Sequence, residues 1–336
     1  MKKVYLLIFF VLTIFSQVNG DIERRAAIDI GSGGTKLAIA DIDTEKNQIV
    51  QIVYDTSFPV AYQASLDKSK DGTFDEETKA LGLKTFKEIR EITDQHGVKK
   101  IAAIATSAFR KSNNGKEFVG DVEKQANINI RIIPQREEGE IAYFSVLATG
   151  EHKPEEVVVW DIGTGSLQIT TANANRDLIV YMGEQMGSVA FKSYIIDVIQ
   201  ENEVEKTTSP NPISEEDLKM ADRFARAFAR KAYPIIKEKI QNQGNIVGIG
   251  RLFYNSIRPL ASENGIITRK ALRKFIGESL YKTDQELNNP FAHVDVSNCI
   301  LTLAIMKALH IHAITPIETT TTRGLLVTPS FWEEKK

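Results

Sequence analysis

Hydrophobic and polar positions divide the chain into alternating strand-like and helix-like stretches. After Arg25 the residues AAIDIGSGGTKLAIADID form two apolar runs around a glycine turn, which predicts a hairpin of two strands. Gly31, Gly33 and Gly34 are expected to supply backbone conformations that other residues resist. Leu81, Leu83, Phe86, Ile89 and Ile92 recur at helical spacing within 75–96, and Gly97 supplies a stop. Residues 101–105 read as a short buried strand and 127–133 as an alternating one. Pro134 then opens a helix carrying Glu137, Glu138, Ile141, Phe144 and Leu147. A second glycine hairpin, VVVWDIGTGSLQITTANAN, begins at Val157. Residues 207–212 read as a loop, and Ser214 with Asp217 caps a long helix expected to reach about Gln241. GNIVGIG, from Gly244, is another strand entering a glycine turn, and helices are expected over 268–277 and 297–309. Strands alternating with helices predict an α/β fold.

The two hairpins share a pattern. Asp29-Ile-Gly-Ser-Gly returns as Asp161-Ile-Gly-Thr-Gly, each between two strands, which points to a duplicated unit. A Gly/Ser/Thr turn after a strand exposes backbone N–H groups, a ready site for phosphate. An aspartate at the strand end suits a different task, holding Mg²⁺ or orienting an attacking water. Asp29 and Asp161 would then face one another across a cleft between two similar domains, where ligands commonly bind.

Charge narrows the partners. Lys and Arg total 42 against 44 Asp and Glu, so the surface has no basic surplus for general nucleic-acid binding. The single cysteine, Cys299, excludes an internal disulfide and a cysteine-built zinc site, and its apolar helical setting reads as core. Lys2 and Lys3, the apolar run from Val4 to Phe15 and the ending Val18-Asn19-Gly20 fit a secretory signal peptide over 1–20. An exported, periplasmic protein is expected, secretion being the variant of that reading, with no stable membrane span once the signal is removed.

The motifs in order resemble the exopolyphosphatase / guanosine pentaphosphate phosphatase (Ppx/GppA) family, within the sugar kinase–actin–chaperone ATPase superfamily. AIDIGSGGTKL is similar to its first phosphate motif and VVVWDIGTGSLQI to its second. Ala105-Thr-Ser-Ala-Phe-Arg with Asn113-Asn-Gly, Ile133-Pro-Gln-Arg-Glu-Glu-Gly-Glu, Met186-Gly-Ser-Val-Ala-Phe and Arg323-Gly-Leu-Leu resemble its remaining segments. The resemblance implies two ribonuclease H-like (actin-like ATPase) domains flanking a cleft. Expected boundaries are 21–137, completed by 315–332, and 138–314. It implies Glu137 as the base for water, with Glu138 in reserve, and Arg110 on phosphate oxygens. Gly31, Ser32, Gly33, Gly163, Thr164, Gly165 and Ser166 would cradle phosphate, and Asp29 and Asp161 would hold Mg²⁺. Lys36, Lys192, Arg251 and Arg323 would extend a basic track. A homodimer is compatible with this reading.

Several positions depart from the family pattern. Ser32-Gly33-Gly34 stands where Ser-Asn-Ser is usual, and Thr164 where the second loop has glycine. Gly248-Ile-Gly-Arg-Leu lacks a Gly and a Thr, and the loop near Phe191 lacks its arginine. The expected activity is Mg²⁺-assisted water attack on the terminal phosphate of polyphosphate or guanosine pentaphosphate. A binding protein without turnover is the second reading, and an ATP-dependent kinase the third.

Overall fold

A computed structural model describes residues 21–243 and 245–333 of the chain. The expected signal peptide, 1–20, lies outside the described residues. Strands β1 (Ile22–Gly31), β2 (Gly34–Asp43), β3 (Gln48–Pro59), β4 (Lys100–Ala105) and β5 (Ile130–Ile132) form the first sheet, in the order β3-β2-β1-β4-β5. The second contains β6 (Val158–Ile162), β7 (Leu167–Ala172), β8 (Leu178–Gly183), β9 (Ile246–Ile249), β10 (Ser262–Glu263), β11 (Ile266–Thr268) and β12 (Ala313–Pro316). Its order is β10-β11-β12-β9-β6-β7-β8. In both sheets an antiparallel meander of three strands is followed by parallel strands beside the first of the three. The small β10–β11 hairpin is an addition to the second sheet.

The duplication extends to register. Asp29 pairs across the hairpin with Lys36 and beside Ile104 of β4. Asp161 pairs with Gln168 and beside Ile249 of β9. Lys36 and Gln168 are therefore equivalent positions, and only the first copy sets a cation opposite its aspartate.

The Gln135–Leu147 helix lies between the sheets. Ile141 packs with Ala27, Ala38, Ile104 and Leu325–Val327 on the first, while Ala142, Tyr143 and Val146 pack with Val157, Val159, Val247 and Ile249 of the second. Burial on two faces explains its lack of one apolar stripe. The Thr321–Val327 helix returns onto the first sheet and meets this helix through Gly324. A Cβ at Gly324 would lie 2.0 Å from the Ile141 carbonyl oxygen. Gly324→Ala should therefore lower thermal stability by about 1–3 kcal/mol through overpacking and reduce activity, since the displaced helix carries the site's glutamate. Thermal denaturation and turnover measured on one preparation test both effects.

Three sequence-based expectations need correction. The long helix after Ser214 is two helices, Glu215–Ala229 and Pro234–Gln243. Pro234 cannot donate to a helical bond, and its ring crowds the preceding turn. The expected strand over 127–133 is paired only at Ile130–Ile132, because Asn127 adopts a left-handed conformation as it ends the Gly115–Ala126 helix. Finally, none of Gly31, Gly33 and Gly34 has a left-handed φ. The need at Gly34 is steric, because a Cβ would come 2.5 Å from the Phe58 carbonyl oxygen on β3. Among the described residues no helix is long and apolar enough to cross a membrane.

Candidate active site

The two hairpin turns meet. Ser32 and Gly33 close β1 to β2, and residues 163–166 close β6 to β7. A Cβ at Gly165 would lie 3.1 Å from Ser107 Oγ and 3.9 Å from Ser32 Oγ, so both turns converge beside the Ser107–Lys111 helix. Gly163 N–H donates to the Ser166 carbonyl at 2.9 Å, drawing the second turn tight. Behind it, the N–H groups of Ser188 and Val189 each donate at 2.9 Å, to the carbonyls of Gly163 and Thr164. Gly187 makes that approach possible, since a Cβ there would lie 2.4 Å from Ser166 N. With the turn's carbonyls held from behind, the backbone N–H groups of Thr164 and Gly165 have no protein acceptor among the described residues, nor do those of Ser32 and Gly33. Thr164 is exposed, while Gly165 and Ser166 are buried.

Three carboxylates and two cations occupy the space beside these turns. Lys36 Nζ pairs with Asp29 Oδ2 at 3.2 Å, and Asp29 is buried. Arg110 Nη1 donates to Glu138 Oε2 at 3.0 Å and to the Ile133 carbonyl at 3.1 Å. Burial pushes the Glu138 carboxyl up, Arg110 opposes the shift, and the Asp29 charge adds to it. Asp161 is pushed up to about 7, chiefly by burial and then by Glu138, with Lys36 opposing. These mutual effects place Asp29, Lys36, Glu138 and Asp161 around one centre. Asp161 accepts no hydrogen bond from a side chain among the described residues.

Glu137 is elsewhere. Its carboxylate pairs with Arg131 at 2.9 Å and is 31% exposed, against 12% for Glu138. Arg131 in turn stacks on Phe331, at 4.4 Å from the ring centre. Successive helical residues point about 100° apart, so only one of the pair can face the cleft. Glu138, not Glu137, is the glutamate paired with Arg110 beside the turns. Of the expected basic track, Lys36 is central. Lys192 donates to the Thr208 carbonyl at 2.9 Å, Arg323 pairs with Asp55 at 3.7 Å, and Arg251 reaches Ser57 Oγ at 3.4 Å.

The profile of the Ppx/GppA phosphatase family matches residues 38–329. The chain belongs to the Ppx/GppA phosphatase family. A solved Ppx/GppA protein from Aquifex aeolicus is 20% identical, with a TM-score of 0.73 over 94% of this chain and 100% of that one. An exopolyphosphatase from Cytophaga hutchinsonii is 19% identical, with a TM-score of 0.68 over 90% and 96% of the respective chains. At these identities the likeness establishes the fold, the two-domain actin-like ATPase architecture. A bifunctional 3-dehydroquinate synthase/phosphatase from Fusobacterium nucleatum is 30% identical over 155 residues, 44% of this chain and 23% of that protein. The chain thus matches under a quarter of that curated relative's length.

Within this Ppx/GppA chain, sequence reasoning undervalued Lys36 and Ser107. Lys36 was legible in principle. A two-residue turn between Gly31 and Gly34 puts residues 29 and 36 opposite one another on one face. Ser107 stands in the family-like 105–110 segment, but its place beside the second turn follows only from the approach of Gly165. Among the described residues no three His, Cys, Asp or Glu side chains gather as a metal cage. The donors nevertheless suit Mg²⁺, which commonly takes one or two carboxylates together with phosphate oxygens and water. Asp161 is a hard oxygen donor without a side-chain partner, and Asp29 keeps one oxygen outside its ion pair.

The Asp161 shift has a measurable sign. An unfolded aspartate ionises near 4, whereas the folded one ionises at about 7. The folded state holds the proton more tightly, so stability tied to the neutral form is complete below about 4 and is lost as pH rises to 7. Asp161→Asn, neutral throughout, should melt above wild type at pH 8 and close to it at pH 4. The difference should be on the order of a few kcal/mol, read by thermal denaturation across pH.

Proposed function

We propose that this protein hydrolyses phosphoanhydrides, releasing the terminal phosphate of polyphosphate or guanosine pentaphosphate. The observation that carries the reading is Glu138, a mostly enclosed carboxylate held by Arg110 beside two turns whose N–H groups lack protein acceptors among the described residues. Its carboxyl, pushed up by burial, is a more willing proton acceptor than an exposed glutamate and suits a base that takes a proton from water. The backbone donors of Ser32, Gly33, Thr164 and Gly165 would bind the phosphoryl oxygens of the bound substrate. Arg110 spends one guanidinium nitrogen on Glu138 and Ile133 and has others to offer a phosphate oxygen. Lys36, paired with Asp29 at 3.2 Å, supplies positive charge next to the transferred group.

Three carboxylates against two cations leave this centre with one negative charge when all are ionised, an unfavourable setting for a polyanion. Asp29 and Asp161 would hold Mg²⁺, which supplies the balancing charge and polarises the phosphoryl oxygens. An excess of Mg²⁺ should therefore be required for turnover. Export to the periplasm is part of the proposal and rests on residues 2–20 alone. Recovery of native protein from the periplasm supports it, with an amino terminus at Asp21 for a cleaved signal or at Met1 for a retained anchor; recovery from the cytoplasm contradicts it.

The test is phosphate release from polyphosphate, guanosine pentaphosphate and ATP, with and without Mg²⁺. Release from either of the first two, dependent on Mg²⁺, supports hydrolysis. Tight binding without release favours a binding protein, to which the exposed Thr164 side chain at the turn gives some support. Transfer of the ATP γ-phosphate to an acceptor favours a kinase.

A further inference from the structure

A line of polar side chains, buried except at the partly exposed Ser188, crosses the apolar core of the second unit, and the site described above uses none of these side chains. Asp295 lies in the Ala292–Ala308 helix, 2% exposed, among Val296, Cys299 and Ile300. Ser256, in the helical turn Leu252–Ile257, donates its hydroxyl to Asp295 Oδ1. Asn298 Nδ2 donates to Ser256 Oγ at 3.3 Å, and Ser188 Oγ donates to Asn298 Oδ1 at 2.6 Å. Ser188 is also the residue whose N–H donates to the Gly163 carbonyl in the β6–β7 turn.

The donors all run one way. An ionised Asp295 only accepts, which points the Ser256 proton at it and leaves the Ser256 lone pairs for Asn298. That fixes the amide orientation of Asn298, whose oxygen then faces Ser188. Burial pushes the Asp295 carboxyl up to about 6, with the Ser256 bond opposing. A carboxylate in an apolar core is costly, and an aliphatic residue would pack there with no such penalty. Two members of the line lie behind the candidate active site. Ser188 backs the phosphate turn, and Ser256 follows the turn at Gly250, whose φ of +85° lets it approach Asp161; a Cβ at Gly250 would be 3.2 Å from Asp161 Oδ1.

We propose that Asp295, Ser256, Asn298 and Ser188 act as positioning residues that tie both turns flanking Asp161 to one buried anchor and so set the affinity for substrate phosphate. This rests on the phosphoanhydride reading of the site. None of the four touches the reacting atoms. Their role is to hold the N–H groups of Thr164 and Gly165 at the spacing a phosphate needs. A turn that binds phosphate equally in ground and transition states changes KM when it loosens, and leaves kcat.

The experiment measures kcat and KM for Mg²⁺-dependent phosphate release from tripolyphosphate in wild type, Ser188→Ala, Ser188→Thr, Asn298→Leu and Asp295→Asn. Circular dichroism and melting are recorded on the same samples. Ser188→Ala, which loses one hydrogen bond of the line, should raise KM about tenfold, and Asn298→Leu, which loses two, at least as much, both with kcat within about twofold. Ser188→Thr, which keeps the hydroxyl, should restore KM. Asp295→Asn should fall between, since an amide oxygen accepts from Ser256 more weakly than a carboxylate. Unchanged KM with lowered kcat and melting temperature would mean a purely structural network and overturns the proposal. If Asn298→Leu does not fold, the Ser188 pair decides alone. Wild-type protein that neither releases phosphate from tripolyphosphate nor binds it by calorimetry removes the reading of the site itself. Normal wild-type kinetics with unaltered variants removes only the positioning role.

Discussion

Glu138→Gln should lower kcat for phosphate release by about 10²–10⁴-fold while the protein stays folded. The amide keeps the volume of the side chain and can still meet Arg110, but it cannot take a proton from water. Its cost to stability is small, because the Glu138 carboxyl is already biased towards its neutral form by burial. KM should change little, since the phosphate is held by the turns and by Arg110. Glu137→Gln is the matched control. It removes a half-exposed pair with Arg131, a type of contact worth about 0–1 kcal/mol, and should leave kcat within about twofold. Steady-state assays of both variants check the assignment. The opposite pattern, with Glu137→Gln inactive and Glu138→Gln active, would place the base on the exposed side of the helix.

Arg110→Ala should be nearly as damaging, and for a separable reason. Arg110 is the main charge holding the Glu138 carboxyl down against burial. Without it the carboxyl rises further, and at neutral pH a smaller fraction of the base is ionised. A general base works in its ionised form, so the acid limb of the pH–rate profile should move to higher pH, and raising the pH should recover part of the lost activity. The remaining deficit, about 10²-fold or more, reports the loss of a guanidinium donor to phosphate. Stability follows the same linkage. Removing one partner of a buried pair costs about 3–5 kcal/mol if the other stays charged, but Glu138 can take up a proton instead. A carboxyl with a raised folded pKa contributes most at low pH and loses that contribution as pH rises through its folded value. Arg110→Ala should therefore lose more melting temperature relative to wild type at pH 8 than at pH 5. Arg110→Lys should restore the pH limb more fully than the phosphate affinity, since it returns charge without the forked donors. An unshifted acid limb in Arg110→Ala would separate Arg110 from the base.

Much of this architecture is visible in local pattern. The two Asp-x-Gly hairpins are strong short-range signals, and their repetition anticipates two sheets with a common strand order. The Glu76–Gln95 helix shows its Asp75 cap and its stop at Gly97, and the Arg269–Ser279 helix its Thr268 cap. Elements defined by partners were not readable in this way. β3 is a half-exposed strand without clean alternation, ordered by pairing with β2. The Gln135–Leu147 helix is buried on two sides, so no single apolar face separates Glu137 from Glu138, and only the sheet behind each decides which one is enclosed. Gly187 and Gly324 lie in two of the family-like segments, but nothing local says why glycine is needed there. The reason is backbone that approaches from distant parts of the chain. The network from Asp295 to Ser188 spans more than a hundred positions, and only Ser188 falls in a recognisable segment.

The measurement that bears most directly on the central claim is hydrolysis of polyphosphate in 18O-labelled water with Mg²⁺, followed by mass analysis of the released phosphate. Attack by a water activated at Glu138 places one 18O atom in each monophosphate released, and the rate of labelled product should fall by about 10²–10⁴-fold in Glu138→Gln. Labelled phosphate released equally fast by Glu138→Gln, or no phosphate released by the wild-type protein from polyphosphate or guanosine pentaphosphate, would contradict the account.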